Sequence, residues 1–593
     1  MARTERSSLP LTPGKRVAFS VFAVALPVLL LAGIEGVGRL AGLAPERLPF
    51  EAVGEDERVL SPAFAERYFN GFSPAVPYTP FAAEPARDTF RIVALGGSTT
   101  AGFPYQFYSG FPTRIGERLM QAMPSRQIEV INLAMTAVNS YTIWDLAPDV
   151  VALDPDVVVI YAGHNEYYGA LGVGSTHNGW ADAVSLKRLV LKLRRTVVYT
   201  LLERVLAGGE ADQEARTTMA GVVRDAEIGL DSDAYRAGIE QFEQNLSDTL
   251  QRFDQASIPV HIATVTSNLS GQAPLGESEQ ALEAYDLGNT ALSQGNPKAA
   301  QEAFERAKEL DGLRFRAPDA INTSLRDLAS TTEAVLVDVD AELRAAYRSG
   351  LPGDTLFVDH LHFTAEGYDR IAGLFVDSFV EAGLVPERAA QAETVPADAI
   401  DEAYAALQIT RLKADAPFMI PGPEAEAQVQ QLRAELTDAS QLGGLAVDVS
   451  DRTVLMPDAL VRGIRAATIE GDSVQALLMA RGLTYWRNSD TQDARKALEQ
   501  SLASPALDSL TAPSAAMLYG TTREPFYANA SAAAWLRTGE LDAAGVWLSE
   551  TERRTPDDPV LLFNFTRYHL ARGDTASARP YAARYQETRR PTN

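Results

Sequence analysis

Five short runs constrain most how this chain folds: FRIVALG from Phe90, IEVINLA from Ile128, DVVVIYAG from Asp156, PVHIATV from Pro259 and AVLVDVD from Ala334. Each is β-branched and nearly continuous rather than alternating, and helix-like sequence separates each from the next. Strands of a parallel sheet buried on both faces read this way. The alternation predicts a three-layer α/β domain over residues 89–385. The gaps after the third and fourth runs are too long for a single crossover, so insertions are expected at about 170–240 and 277–315.

The second insertion contains ALEAYDLGNTALSQGNPKAAQEAFERAKELD from Ala281. Its Leu287, Gly288, Gly295, Ala300, Phe304 and Ala307 stand at the offsets of a tetratricopeptide hairpin. Similar offsets return later: Gly482, Tyr485, Ala494 and Leu498, then Gly539, Ala544, Leu548 and Pro556. Gly573 and Ala578 follow Gly539 and Ala544 by 34 residues each, the period of that repeat. Residues 386–593 are therefore read as a helical, tetratricopeptide-like domain. The hairpin Ala281–Asp311 is expected to dock on it, because a lone hairpin cannot bury both faces.

The N-terminus restricts location. Arg3, Arg6, Lys15 and Arg16 precede eighteen uncharged residues, Val17–Ile34, enough to span a bilayer as a helix. The charge bias holds residues 1–16 in the cytoplasm. We read 17–38 as a single-pass signal-anchor in a bacterial-type inner membrane, 39–88 as a proline-rich stalk, and the rest as periplasmic or extracellular. A cleaved signal peptide is the competing reading. The 593-residue chain has a net charge of −25 and no cysteine. This argues against nucleic-acid binding and excludes disulfides, thiolate metal sites and cysteine nucleophiles. One basic stretch, Ser185–Leu206, reads either as a lid or packed insertion or as a contact with an anionic membrane surface.

Three stretches carry chemistry. GGSTTAG places Ser98 at the C-terminal end of the first strand, YAGHNEYYG ends the third, and VDHLHFTAEGY follows the fifth. A parallel sheet gathers them at one edge. A serine hydrolase needs a nucleophile, a histidine base, a carboxylate that orients it, and oxyanion donors. Ser98, His362, Asp359 and Asn165 supply that set, with His360 a rival base. Scattered elsewhere, the histidines suggest no metal.

These blocks resemble the SGNH hydrolases, also called GDSL esterases and lipases. GGSTTAG looks like the first block, with Gly97 where the family usually has an aspartate. VINLAMTAVNS looks like the second, with Ala134 in the place of the glycine whose N–H enters the oxyanion hole. GHNEYYG looks like the third, with Gly163 and Asn165 matching and Glu166 replacing an aspartate. DHLH looks like the fifth, with Asp359 and His362 three apart. The resemblance implies a flavodoxin-like sheet, a catalytic triad of Ser98, Asp359 and His362, and an oxyanion hole from Ser98, Ala134 and Asn165. It implies no cofactor.

Tyr105, in the aromatic run Phe103, Tyr105, Phe107, Tyr108 and Phe111, is a candidate for a substrate pocket. His164, Glu166 and His360 are the others. The expected substrate is an acyl ester, glycan- or lipid-linked, with a protein partner on the repeats. Two alternatives stay open: an O-acyltransferase acting on cell-envelope glycans with the same triad, and a catalytically weak scaffold.

Overall fold

The computed structural model describes residues 13–43, 48–53, 56–69, 74, 76, 79–105, 109–175, 183–206, 227–392, 395–413, 418, 422–450, 457–485 and 491–589. Arg3, Arg6, Phe107 and Tyr108 lie outside them.

The first three strands are β1 (Phe50–Val53), β2 (Glu57–Leu60) and β3 (Phe81–Ala82), which form a small antiparallel sheet. Five parallel strands follow: β4 (Thr89–Gly96), β5 (Gln127–Asn132), β6 (Val157–Tyr161), β7 (Val260–Ala263) and β8 (Val335–Val337). Their spatial order is β5-β4-β6-β7-β8, the second-first-third-fourth-fifth order of the flavodoxin-like sheet. All five sequence runs lie on these strands. All eight residues of β4 are buried, which is why its pattern is continuous instead of alternating. The chain leaves β4 at the switch point between β4 and β6, where open sheets form a crevice at their C-terminal edge.

The segment read as a stalk is in large part packed structure. Phe64, Tyr68, Phe69 and Phe81 join the core of the α/β domain. Arg67 is buried, donates to Leu191 O at 2.6 Å and pairs with Asp145 at 3.0 Å. Two- to four-residue strands between prolines carry no period, so the sequence pattern could not reveal them.

From Ala399 on, the regular structure of the described residues is helical. Gly539 and Gly573 adopt φ of +91° and +75° just past the helices Pro525–Thr538 and Pro559–Ala571, the left-handed exit that glycine makes without strain. Ala544 and Ala578 are buried in the helices that follow. This region has its own core but also shares that of the α/β domain through Leu478 and Met517. Between the two lies the helix Phe111–Ala122, buried along its whole length. Across it, Arg481 pairs with Glu117 at 3.0 Å, both side chains buried, and Arg523 donates to Pro124 O at 2.8 Å.

The inserted hairpin is present as the helices Glu279–Ser293 and Pro297–Leu310, and Gly288 gives Phe304 the room to pack between them. It does not dock as expected. Its ties run to the α/β domain: Tyr285 Oη to Ser270 O at 2.7 Å, Lys308 to Asp319 at 2.5 Å, and Glu305 to Arg344. Ala300 and Phe304 close a small cluster with Leu269 and Leu351, so one face finds cover without the C-terminal helices.

Near the N-terminus, the helix Pro13–Leu40 contains a span, Val21–Leu40, long and apolar enough to cross a membrane.

Candidate active site

Gly96 brings β4 close to β6: an added Cβ would meet Thr100 Oγ1 at 2.1 Å and Tyr161 O at 2.3 Å. The chain then turns into the short helix Ser98–Ala101, stapled by Thr100 Oγ1 donating to Tyr161 O and Asn132 Nδ2 donating to Thr100 O, both at 2.9 Å. Ser98 is thereby left half-exposed at the sheet edge.

The Asp359–His362 segment is a tight loop. Phe357 and Phe363 bridge across it, and Val358 N–H donates to His362 O at 2.9 Å. Asn268, beyond the end of β7, braces it by donating through its backbone N–H to His360 O at 3.0 Å. The loop delivers His362 Nε2 to 2.7 Å from Ser98 Oγ and His362 Nδ1 to 2.6 Å from Asp359 Oδ2. Since the carboxylate accepts only, Nδ1 carries the proton and Nε2 accepts from the serine. Asp359 Oδ1 accepts the N–H groups of Leu361 and His362, both at 2.8 Å. Burial would raise the Asp359 carboxyl, but the two histidines beside it outweigh that and hold it well below the usual carboxylate range. Sequence-predicted nucleophile, base and orienting acid thus form one hydrogen-bonded chain.

His360, the rival base, is buried behind the relay. Its Nδ1 is 3.3 Å from Asp359 Oδ1 but out of line for a hydrogen bond, and neither ring nitrogen has a partner among the described residues. Burial lowers its pKa. Asp359, His360 and His362 bring ligand atoms within 4.8 Å of one another. Both Asp359 oxygens and both His362 nitrogens are already engaged, Oδ1 by backbone N–H groups and the other three in the relay.

On the opposite loop Asn165 is half-exposed, and a Cβ on Gly97 would stand 2.8 Å from its Nδ2. Glycine in place of the aspartate expected from the resemblance therefore makes room for the Asn165 amide beside Ser98. Its neighbours turn away. His164 Nε2 donates to Thr266 O and Nδ1 accepts from Ala317 N, each at 3.1 Å; burial lowers this imidazole to about 3. Glu166 accepts from Ser140 Oγ at 2.8 Å and Ser140 N at 3.2 Å, and burial pushes its carboxyl up to about 8.

Two expectations need correction. The Ala134 N–H is engaged by Asn132 Oδ1 at 3.1 Å. Three residues on, Ala137 has φ of +57°, the region that favours glycine. Its N–H has no recorded partner among the described residues, and its O accepts from Ala170 N at 3.0 Å, joining it to the Asn165 loop. The segment carries no glycine that would have marked this conformation in the sequence. As for the pocket, Tyr105 is buried against Tyr368, with Glu402 beside its hydroxyl, and burial raises that hydroxyl's pKa. Among the described residues of that run, Phe103 lies against the site, its ring centroid 4.6 Å from that of His362. His164, Glu166 and His360 are likewise buried; the first two brace their loop through hydrogen bonds.

No family model and no curated protein matches the chain. Among solved structures, an acetyl xylan esterase is similar at 15% identity, over 49% of this chain and 99% of that one, with a TM-score of 0.25. A lipase/acylhydrolase from Enterococcus faecalis is similar at 15% identity over 52% and 100%, with a TM-score of 0.26. A GDSL-like lipase from Bacteroides thetaiotaomicron is similar at 13% identity over 50% and 92%, with a TM-score of 0.27. At these identities and scores the likeness carries no activity across.

Proposed function

We propose that the protein is a serine ester hydrolase of the SGNH type, and the observation that carries the reading is the Ser98–His362–Asp359 relay at 2.7 and 2.6 Å. Ser98 Oγ attacks an acyl-ester carbonyl while His362 Nε2 takes its proton. The tetrahedral intermediate collapses, His362 returns the proton to the leaving alcohol, and the acyl group stays on Ser98. Water, activated by the same nitrogen, releases the acid. Asp359 holds the ring in the Nδ1–H tautomer and stabilises the imidazolium. The Ser98 and Ala137 N–H groups and the Asn165 amide serve the oxyanion, each donor worth on the order of 10²-fold in rate. No cofactor is required.

The apolar helix holds the enzyme to a membrane, with the catalytic domain on the extracytoplasmic side, a reading supported by Lys15 and Arg16 before the span. Tetratricopeptide-type repeats in the C-terminal region bind a protein partner; the 34-residue step from Gly539 and Ala544 to Gly573 and Ala578 supports this.

Turnover of 4-nitrophenyl acetate by the full chain tests the chemistry. Ser98→Ala and His362→Ala each lose on the order of 10⁴-fold or more, whereas His360→Phe keeps most activity. Parental rates in Ser98→Ala refute the assignment.

A further inference from the structure

The helices Val184–Leu193 and Val197–Leu206 form a unit between β6 and β7 whose inner face is fixed. Arg188 pairs with Asp248 at 2.6 Å, Arg195 with Asp149 at 2.7 Å, and buried Lys187 donates to Leu171 O at 2.8 Å. Much of the basic stretch is therefore consumed by packing. The outer face is different: Leu189, Leu193 and Leu202 are 49%, 47% and 52% exposed. The apolar N-terminal helix ends against this same unit. Val198 N–H donates to Glu35 at 3.1 Å, and a Cβ on Gly38 would stand 2.7 Å from Val197 Cγ1. A helix crossing a bilayer would, through these contacts at Val197 and Val198, bring the helix pair to the interface. Leu40 and Leu43 at the helix exit are exposed as well.

Beside Leu189 opens a cleft of about 660 Å³ between helices Val184–Leu193 and Asp233–Gln255, lined by Trp144, Arg188, Lys192, Asp248 and Arg252. Asp248 neutralises Arg188, but Lys192 and Arg252 have no ion pair among the described residues. The Lys192 ammonium lies 5.4 Å from the Trp144 ring centroid. Two uncompensated cations next to exposed leucines, on a unit tied to an apolar helix, are the features of a segment lying in a membrane interface.

We propose that residues 184–206 rest on the bilayer, with Leu189, Leu193 and Leu202 entering its interface and Lys192 and Arg252 holding the phosphate of an anionic phospholipid in the adjoining cleft. The proposal rests on the anchor reading above. It gives the enzyme a second contact with the membrane, so that the domain is held in one orientation instead of swinging on a single helix.

The chain has no cysteine, so single-cysteine probes test this directly. Full-length protein carrying bimane at L29C, L189C, L202C or Q586C is placed in nanodiscs of phosphatidylcholine, with or without phosphatidylglycerol, and quenched by spin-labelled lipid. We expect quenching at 29, 189 and 202 and none at 586. Phosphatidylglycerol should deepen quenching at 189, and K192Q/R252Q should lose that increment while keeping the phosphatidylcholine value. Quenching at 29 with 189 and 202 as dark to lipid as 586 overturns the proposal and leaves the anchor standing. No quenching at 29 overturns both. An unchanged signal at 189 on adding phosphatidylglycerol removes the headgroup cleft. Loss of the increment on adding inorganic phosphate at matched ionic strength assigns the cleft to a free anion, and equally overturns it.

Discussion

Two loops at the same sheet edge each carry a histidine and a carboxylate, and they are electrostatic opposites. In Asp359–His362 the pair faces itself at 2.6 Å and the acid is held well below its ordinary range. In the loop after β6, His164 and Glu166 turn to different partners, Thr266 and Ala317 for the imidazole and Ser140 for the carboxyl. There burial dominates, lowering the histidine to about 3 and raising the acid to about 8. Residue type and solvent exclusion are alike; what differs is whether a cation can form opposite the acid. One pair can store a proton during a reaction, while the other is locked neutral and serves as packing.

The sharpest way to break this comparison is Asp359→Asn. It should keep the fold and lower kcat on the order of 10⁴-fold, measured by ester turnover; a loss under tenfold would make Asp359 a brace like Glu166. Next, Gly97→Ala should push the Asn165 amide off the nucleophile and cost on the order of 10²-fold in kcat, with the melting temperature little changed. Parental activity would remove Asn165 from the oxyanion site.

Glu166→Gln reverses the pattern, affecting stability and sparing catalysis. The Glu166 carboxyl is raised from 4.5 to about 8, so its contribution is complete below pH 4.5 and is lost as pH rises through 8. His164, lowered from 6.5 to about 3, contributes above pH 6.5 and loses that contribution as pH falls toward 3. The Gln variant should therefore gain melting temperature relative to the parent between pH 5 and pH 8. An unchanging difference across that range would show an ionised Glu166. The smallest effect belongs to Ala137→Gly, which relieves a left-handed alanine, should add up to about 1 kcal/mol of stability, and should keep activity. Ala134→Gly should not stabilise.

Local pattern revealed a good deal. Runs such as FRIVALG and DVVVIYAG are continuous because β4 and β6 are buried on both faces, so strand positions and parallel class could be read directly. The hydrogen-bonded relay was legible because residue type, order and strand end coincided at Ser98, Asp359 and His362. Ala137 was not, because its backbone conformation leaves no mark when the residue is not glycine. Tyr105 and Phe103 were indistinguishable as letters in one aromatic run; only their orientation separates them.

What the sequence by itself determined is therefore the local content: five parallel strands, an apolar N-terminal helix, helix pairs punctuated by Gly295, Gly539 and Gly573, and a relay at one sheet edge; the burial on both faces expected of all five runs fails at β8, an edge strand with Val335 exposed. Tertiary structure alone decided what those pieces lean on. The hairpin found Leu269 and Leu351 and not the C-terminal helices. The proline-rich segment placed Phe64 and Tyr68 in the core. The helix Phe111–Ala122 is buried along its whole length, and its Glu117 is met by Arg481 from the C-terminal helices. A periodic pattern reports which face of an element is apolar, whereas the surface that covers it belongs to residues hundreds of positions away, and no local signal encodes that distance.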